Sequence, residues 1–151
     1  MYPAARMGGQ YMHNYYIPPA PGSTPWAPAW PPDGRSIAVA IEGSIWKIDI
    51  ATGAAEELTY NRNYHSSPAW SPDGKWIVYT ADRDAQSVGL EILNTATSEV
   101  RGLTPDTQVY LDPVFSPDGR RLAYVSTAPN GNFNIFVRHI GDGVGPVTPC
   151  R

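Results

Sequence analysis

The chain has 151 residues and a formal net charge of −3, a size that supports one domain of modest core. That acidic balance leaves no basic face for nucleic acid or an anionic membrane surface, and apolar runs such as residues 36–41 are far too short to span a bilayer. Sixteen prolines, fourteen glycines, five tryptophans and nine tyrosines disfavour a helical domain and suit many short strands joined by tight turns.

In chain order, residues 1–24 form an irregular segment rich in proline and tyrosine. It carries one arginine, Arg6, but no apolar stretch of the length a secretory signal needs, so the chain as written is expected in the cytoplasm. From residue 25 onward one block recurs three times. Pro28-Ala29-Trp30-Pro31-Pro32-Asp33-Gly34-Arg35 returns as Pro68-Ala69-Trp70-Ser71-Pro72-Asp73-Gly74-Lys75, then as Pro113-Val114-Phe115-Ser116-Pro117-Asp118-Gly119-Arg120. A second marker keeps the same phase: Leu58-Thr59, Leu103-Thr104 and Val147-Thr148. The turn glycines stand 40 and 45 residues apart, a period of four-stranded propeller blades.

Each repeat reads as strand, turn and strand. Pro-Asp-Gly supplies a fixed φ, a carboxylate that bonds its own backbone and a residue tolerant of positive φ. The strand before it ends in Trp30, Trp70 or Phe115, aromatics suited to packing between blades. The strand after it is apolar: Ile37 to Ala40, Trp76 to Tyr79, Leu122 to Val125. A third strand is predicted at Ser44 to Ile50, Gly89 to Leu93 and Asn132 to His139, and a fourth leads into the Leu-Thr marker. The fold class is therefore all-β, with about three four-stranded antiparallel blades over residues 25–151. Closed propellers need four to eight blades, so the ring is incomplete unless the chain is part of a longer protein or joins copies of itself.

The Leu-Thr marker, the Pro-x-Trp-Ser-Pro-Asp-Gly block and the following Asp82-Arg83-Asp84 resemble the WD-like repeat of TolB-type propellers. The resemblance spans about Pro25 to Thr148; Pro31 in place of the usual serine and the turn at residues 128–131 depart from it. The stretch from Met12 to Trp30 also resembles the propeller region of secreted bacterial amidohydrolases. TolB-type repeats imply contacts with other proteins, and a periplasmic or secreted parent. The histidines at positions 13, 65 and 139 are too few for the metal centre of an amidohydrolase catalytic domain.

In a propeller the innermost strand of each blade lines a central channel. Aligning the repeats on Pro28, Pro68 and Pro113 puts Ala27, Ser67 and Asp112 at equivalent entrance positions, with His65, Ser66 and Tyr110 close by. A histidine, a carboxylate and hydroxyls there suit a small polar ligand or an acid–base pair, and they equally suit plain solvation of a loop. Ser66, Ser67 and Tyr110 are the candidate ligand-binding residues. Two functions follow. One is a TolB-like module that binds a protein, a ligand or another copy of the chain, with no catalytic group required. The other resembles, at the level of fold, six-bladed calcium-dependent lactonases that open lactones or esters such as acyl-homoserine lactones. It would take Asp112 as Ca2+ ligand and His65 as base.

Other motifs fall away. Asp82 and Asp84 begin like a calcium loop, but Ser87 and Leu93 stand where glycine and glutamate are needed. Gly141-Asp142-Gly143-Val144-Gly145 lacks the lysine and helix of a phosphate loop, and no G-x-S-x-G occurs. Asp33, Asp73 and Asp118 read as turn formers, and Cys150, the single cysteine, admits no internal disulfide or zinc spacing.

Overall fold

The computed structural model describes residues 25–61, 63–83, 87–105, 108–127, 131–141, 143–144 and 148–149. The segment 1–24, Asp84, the turn at 128–130, Asp142, Val147 and Cys150 lie outside the described residues. The rest is all strand and turn. The first blade contains β1 (Trp26–Ala29), β2 (Ser36–Ile41), β3 (Ser44–Asp49) and β4 (Ala55–Glu57). The second contains β5 (Tyr64–Trp70), β6 (Trp76–Asp82), β7 (Val88–Asn94) and β8 (Val100–Gly102). In the third, β9 (Tyr110–Phe115), β10 (Arg121–Thr127) and β11 (Phe133–Gly141) are joined by the two-residue strands β12 (Gly143–Val144) and β13 (Thr148–Pro149). Every blade pairs its strands antiparallel in chain order, and both β12 and β13 pair with β11.

The turns have the predicted chemistry. Gly34, Gly74 and Gly119 sit at φ values of +64°, +71° and +69°, where a side chain would strain the backbone. The Asp33, Asp73 and Asp118 carboxylates accept the backbone N–H two residues on, at 3.0, 3.1 and 3.0 Å. Ser71 and Ser116 donate to the same carboxylates at 2.6 and 2.5 Å, and those bonds hold the Asp73 and Asp118 pKa values below the ordinary carboxylate range. Pro31 in the first blade has no hydroxyl to give.

The Leu-Thr marker closes the first and second blades. Thr59 and Thr104 accept the N–H groups of Ile45 and Leu90 on their side-chain oxygens, both at 2.9 Å. Leu58 and Leu103 donate their own N–H groups to the carbonyls of the same two residues, both at 2.8 Å. The leucine side chains pack into the inter-blade cores. The marker thus extends a three-residue outer strand and plugs a core at once.

Those cores lie between blades, not within them. Ile77, Tyr79, Ala81 and Leu93 pack on Ala38, Ala40 and Ile45 of the first blade. Val78 and Leu90, from the opposite face of the same sheet, pack on Tyr110, Leu122 and Tyr124 of the third. The middle strand β6 is therefore buried from Ile77 through Ala81, as expected of a strand covered on both sides. Among the described residues, the end blades each keep one uncovered face. Trp70 and Phe115 pack against the preceding blade, whereas Trp30, at the equivalent position, is 61% exposed. On the other end Ile135, the equivalent of Ile45 and Leu90, is 60% exposed.

This asymmetry gives a direct test. Leu90→Ala, which empties a filled inter-blade site, is expected to cost about 2–5 kcal/mol in urea unfolding. Ile135→Ala at the equivalent but uncovered site is expected to stay within about 0.5 kcal/mol of the parent. Equal losses would mean that the outer face of the third blade is covered.

Candidate functional site

The inner strands β1, β5 and β9 lie side by side and share one irregularity. Pairing slips between Trp26 and Ala29, between Ser66 and Ala69, and opposite Ala123 to Val125. At these bulges Ala27, Ser67 and Asp112 all adopt φ of +49°, a region that non-glycine residues rarely occupy. A bulge bends the strand and re-aims one side chain. Because the strain recurs with alanine, serine and aspartate alike, it belongs to the blade, and the side chain it presents is what varies. Ser67 Oγ donates to Asp112 Oδ1 at 2.8 Å, linking the second and third blades across this ring. Asp112 is otherwise exposed.

The remaining predicted site residues turn away from solvent. His65 was expected beside Asp112 at the channel entrance; the structure places it fully buried between the first and second blades. Its ring meets Tyr79 edge-on at 5.0 Å, and its Nδ1 lies 2.8 Å from Thr59 Oγ1. That oxygen already accepts the Ile45 N–H, so we assign the Thr59 hydroxyl proton to the bond with Nδ1. The imidazole proton then sits on Nε2, 3.8 Å from Glu91 Oε2. Tyr79 donates to Glu91 Oε2 at 3.0 Å, and Arg83 Nη2 reaches Oε1 at 3.2 Å. Burial holds the His65 pKa below its ordinary value, with Glu91 opposing. Burial also drives the Tyr79 pKa upward, reinforced by the charge and hydrogen bond of Glu91. This is a polar tie buried at His65, Tyr79 and Glu91, with Arg83 at its half-exposed edge. Ser66 is fully buried, and Tyr110 packs on Tyr124 with ring centroids 5.7 Å apart.

Glu91 escaped the sequence reading, although one carboxylate within the apolar run Val88 to Leu93 was its signal. The bulge ring is a poor match for Ca2+. That cation takes six to eight oxygens, and these three positions offer one carboxylate, one hydroxyl and a methyl. Among the described residues no group of three or more His, Cys, Asp or Glu side chains could hold a metal ion. Nor is any helix there long and apolar enough to cross a membrane.

Comparison with known proteins agrees with the blade geometry. The PD40 family, described as the TolB beta propeller domain, matches residues 17–145. The chain belongs to this family. A TolB protein from Agrobacterium tumefaciens superposes with a TM-score of 0.75 at 22% identity, over 85% of this chain and 49% of that one. TolB from Acinetobacter baumannii gives 0.73 at 26% identity, over 84% of this chain and 32% of that one. A chain of a nidogen–laminin complex gives 0.67 at 16% identity, over 85% and 48% respectively. This TolB-family chain thus spans half or less of each of these three structures.

The buried histidine makes TolB-type packing here sensitive to acid. With the folded pKa lowered, the unfolded chain takes up a proton below pH about 6.5 while the folded chain resists it. Stability should therefore be intact above that value and decline as pH falls below it, with a slope of at most about 1.4 kcal/mol per pH unit. Urea midpoints between pH 7.5 and 5.5 measure this, and His65→Asn should remove the slope. An equal slope in that variant would place the titrating group elsewhere.

Proposed function

We propose that the chain acts as a binding module within a larger TolB-type propeller, meeting its partner through the channel face of its inner strands. One observation supports this most. The backbone repeats the same strained bulge in all three blades, yet the residue carried there changes from Ala27 to Ser67 to Asp112. A constant scaffold with a varied contact residue is what recognition needs. Fold alone does not specify function, though one structural neighbour is a chain of a nidogen–laminin complex.

The end faces extend the same reading. Trp30 on one side and Ile135 on the other take positions that neighbouring blades cover elsewhere in this stack, so further blades would cover them, from the same parent chain or from a second copy. TolB-type membership also favours a periplasmic or secreted parent. The alternative, a calcium-dependent hydrolase opening a lactone or ester, finds an exposed carboxylate at Asp112 but, among the described residues, not the expected base beside it. His65 lies under the first blade.

A photo-crosslinking residue at position 112, with a control at Thr52 on an outer turn, tests the binding reading in the native host. A discrete protein adduct from position 112 and none from position 52 is expected. In parallel, calcium titration should give no saturable heat, and lactone assays no turnover. Calcium-dependent lactone opening that is lost in Asp112→Ala would overturn the binding reading in favour of the hydrolase.

A further inference from the structure

The two junctions between blades are built from equivalent positions but filled differently. At the first junction Trp70 and Leu93 meet Leu58, leaving a gap of about 40 Å³. At the second, the same positions hold Phe115, Arg138 and Leu103, and the gap opens to a cleft of about 660 Å³. The equivalence is set by strand register: Leu93 stands opposite Ile77, and Arg138 opposite Leu122. An arginine therefore occupies a core position where the second blade has a leucine.

Arg138 is only 6% exposed. One guanidinium nitrogen donates to the Leu103 carbonyl, and among the described residues no carboxylate pairs with it. A largely buried cation without a counter-charge is costly. A guanidinium offers five N–H donors in a planar fork matched to two oxygens of one anion. Arg101, whose guanidinium lies 5.2 Å from the Trp76 ring centroid, and His139 add positive or hydrogen-bonding edge to the cleft. Phe115, Leu122 and Ile140 give it an apolar wall. Asp73 and Asp118 stand at one side, each bonded into its own turn. At the first junction the position of Arg101 is held by Glu56, with Lys47 opposite it, so the pairing of two arginines is specific to the second.

We propose that the cleft between the second and third blades binds a small organic carboxylate, with Arg138 holding the carboxylate and the apolar wall holding the body of the ligand. The volume falls within the range of small-molecule sites. Nothing in this site depends on Ser67 or Asp112, so it stands apart from the channel face.

The test uses 3-phenylpropionate as probe, with its amide and inorganic phosphate as controls, titrated by calorimetry into the whole chain. The carboxylate is expected to bind saturably at one site and the amide to bind at least tenfold more weakly. Arg138→Leu, which restores the residue type of the second blade, should fold normally and lose binding at least tenfold; Arg138→Gln provides the same reading should the leucine variant misfold. Asp112→Ala should bind unchanged. Equal binding of acid and amide, an unaffected Arg138→Gln, or no saturable binding would each overturn the proposal. Phosphate binding as tightly as the carboxylate, with the same dependence on Arg138, would overturn the carboxylate assignment in favour of a general oxyanion site.

Discussion

A propeller blade has two apolar faces and no means of burying either one alone. Among the described residues only the second blade has both faces covered, through Ile77, Tyr79 and Ala81 on one side and Val78 and Leu90 on the other. Everything else in the stack follows from that arrangement. The Leu-Thr marker is useful because its leucine fills the gap between blades while its threonine satisfies the third strand. The aromatic that ends the inner strand is useful only where a preceding blade exists, which is why Trp70 is packed and Trp30 is exposed.

Against so regular a background, departures carry information, since a sequence that specifies its fold tends to break local rules where something other than folding is served. Three departures stand out. His65 and Glu91 put a polar tie into the first junction, joined to Thr59, Tyr79 and Arg83, and all of its members but the half-buried Arg83 are closed to solvent. Ser67 and Asp112 form a bond between blades on the channel side, open to solvent and therefore open to a partner. Arg138 replaces an apolar core residue and leaves a cleft beside it. The first serves cohesion; the proposed binding roles fall to the second and third.

The blades were legible in the sequence because their signals are local. A Pro-Asp-Gly turn acts within four residues, and a strand of alternating or continuous apolar residues needs no distant partner to be recognised. The link between Ser67 and Asp112 was also within reach, since aligning the prolines that follow them places both at one level of adjacent blades. The orientation of His65 was not. The bulge lies between it and Pro68, and a one-residue slip moves a strand's side chains to the other face, so counting back from the proline gives no face. Arg138 was hidden for another reason. In Phe136-Val137-Arg138-His139 an arginine reads as the outward residue of an outer strand, and only the register with Leu122 reveals that its position is one the second blade fills with Leu93.

Amide hydrogen exchange, read strand by strand on the whole chain, tests most directly whether the second blade holds the stack together. Protection of an amide reflects the free energy of the opening that exposes it. The amides of β6 and β7 should exchange slowest, at the rate of global unfolding, while the corresponding strands β2, β3, β10 and β11 should open at lower cost. Equal protection across all three blades would contradict this, showing that the end faces are covered and that the stack does not depend on its middle blade.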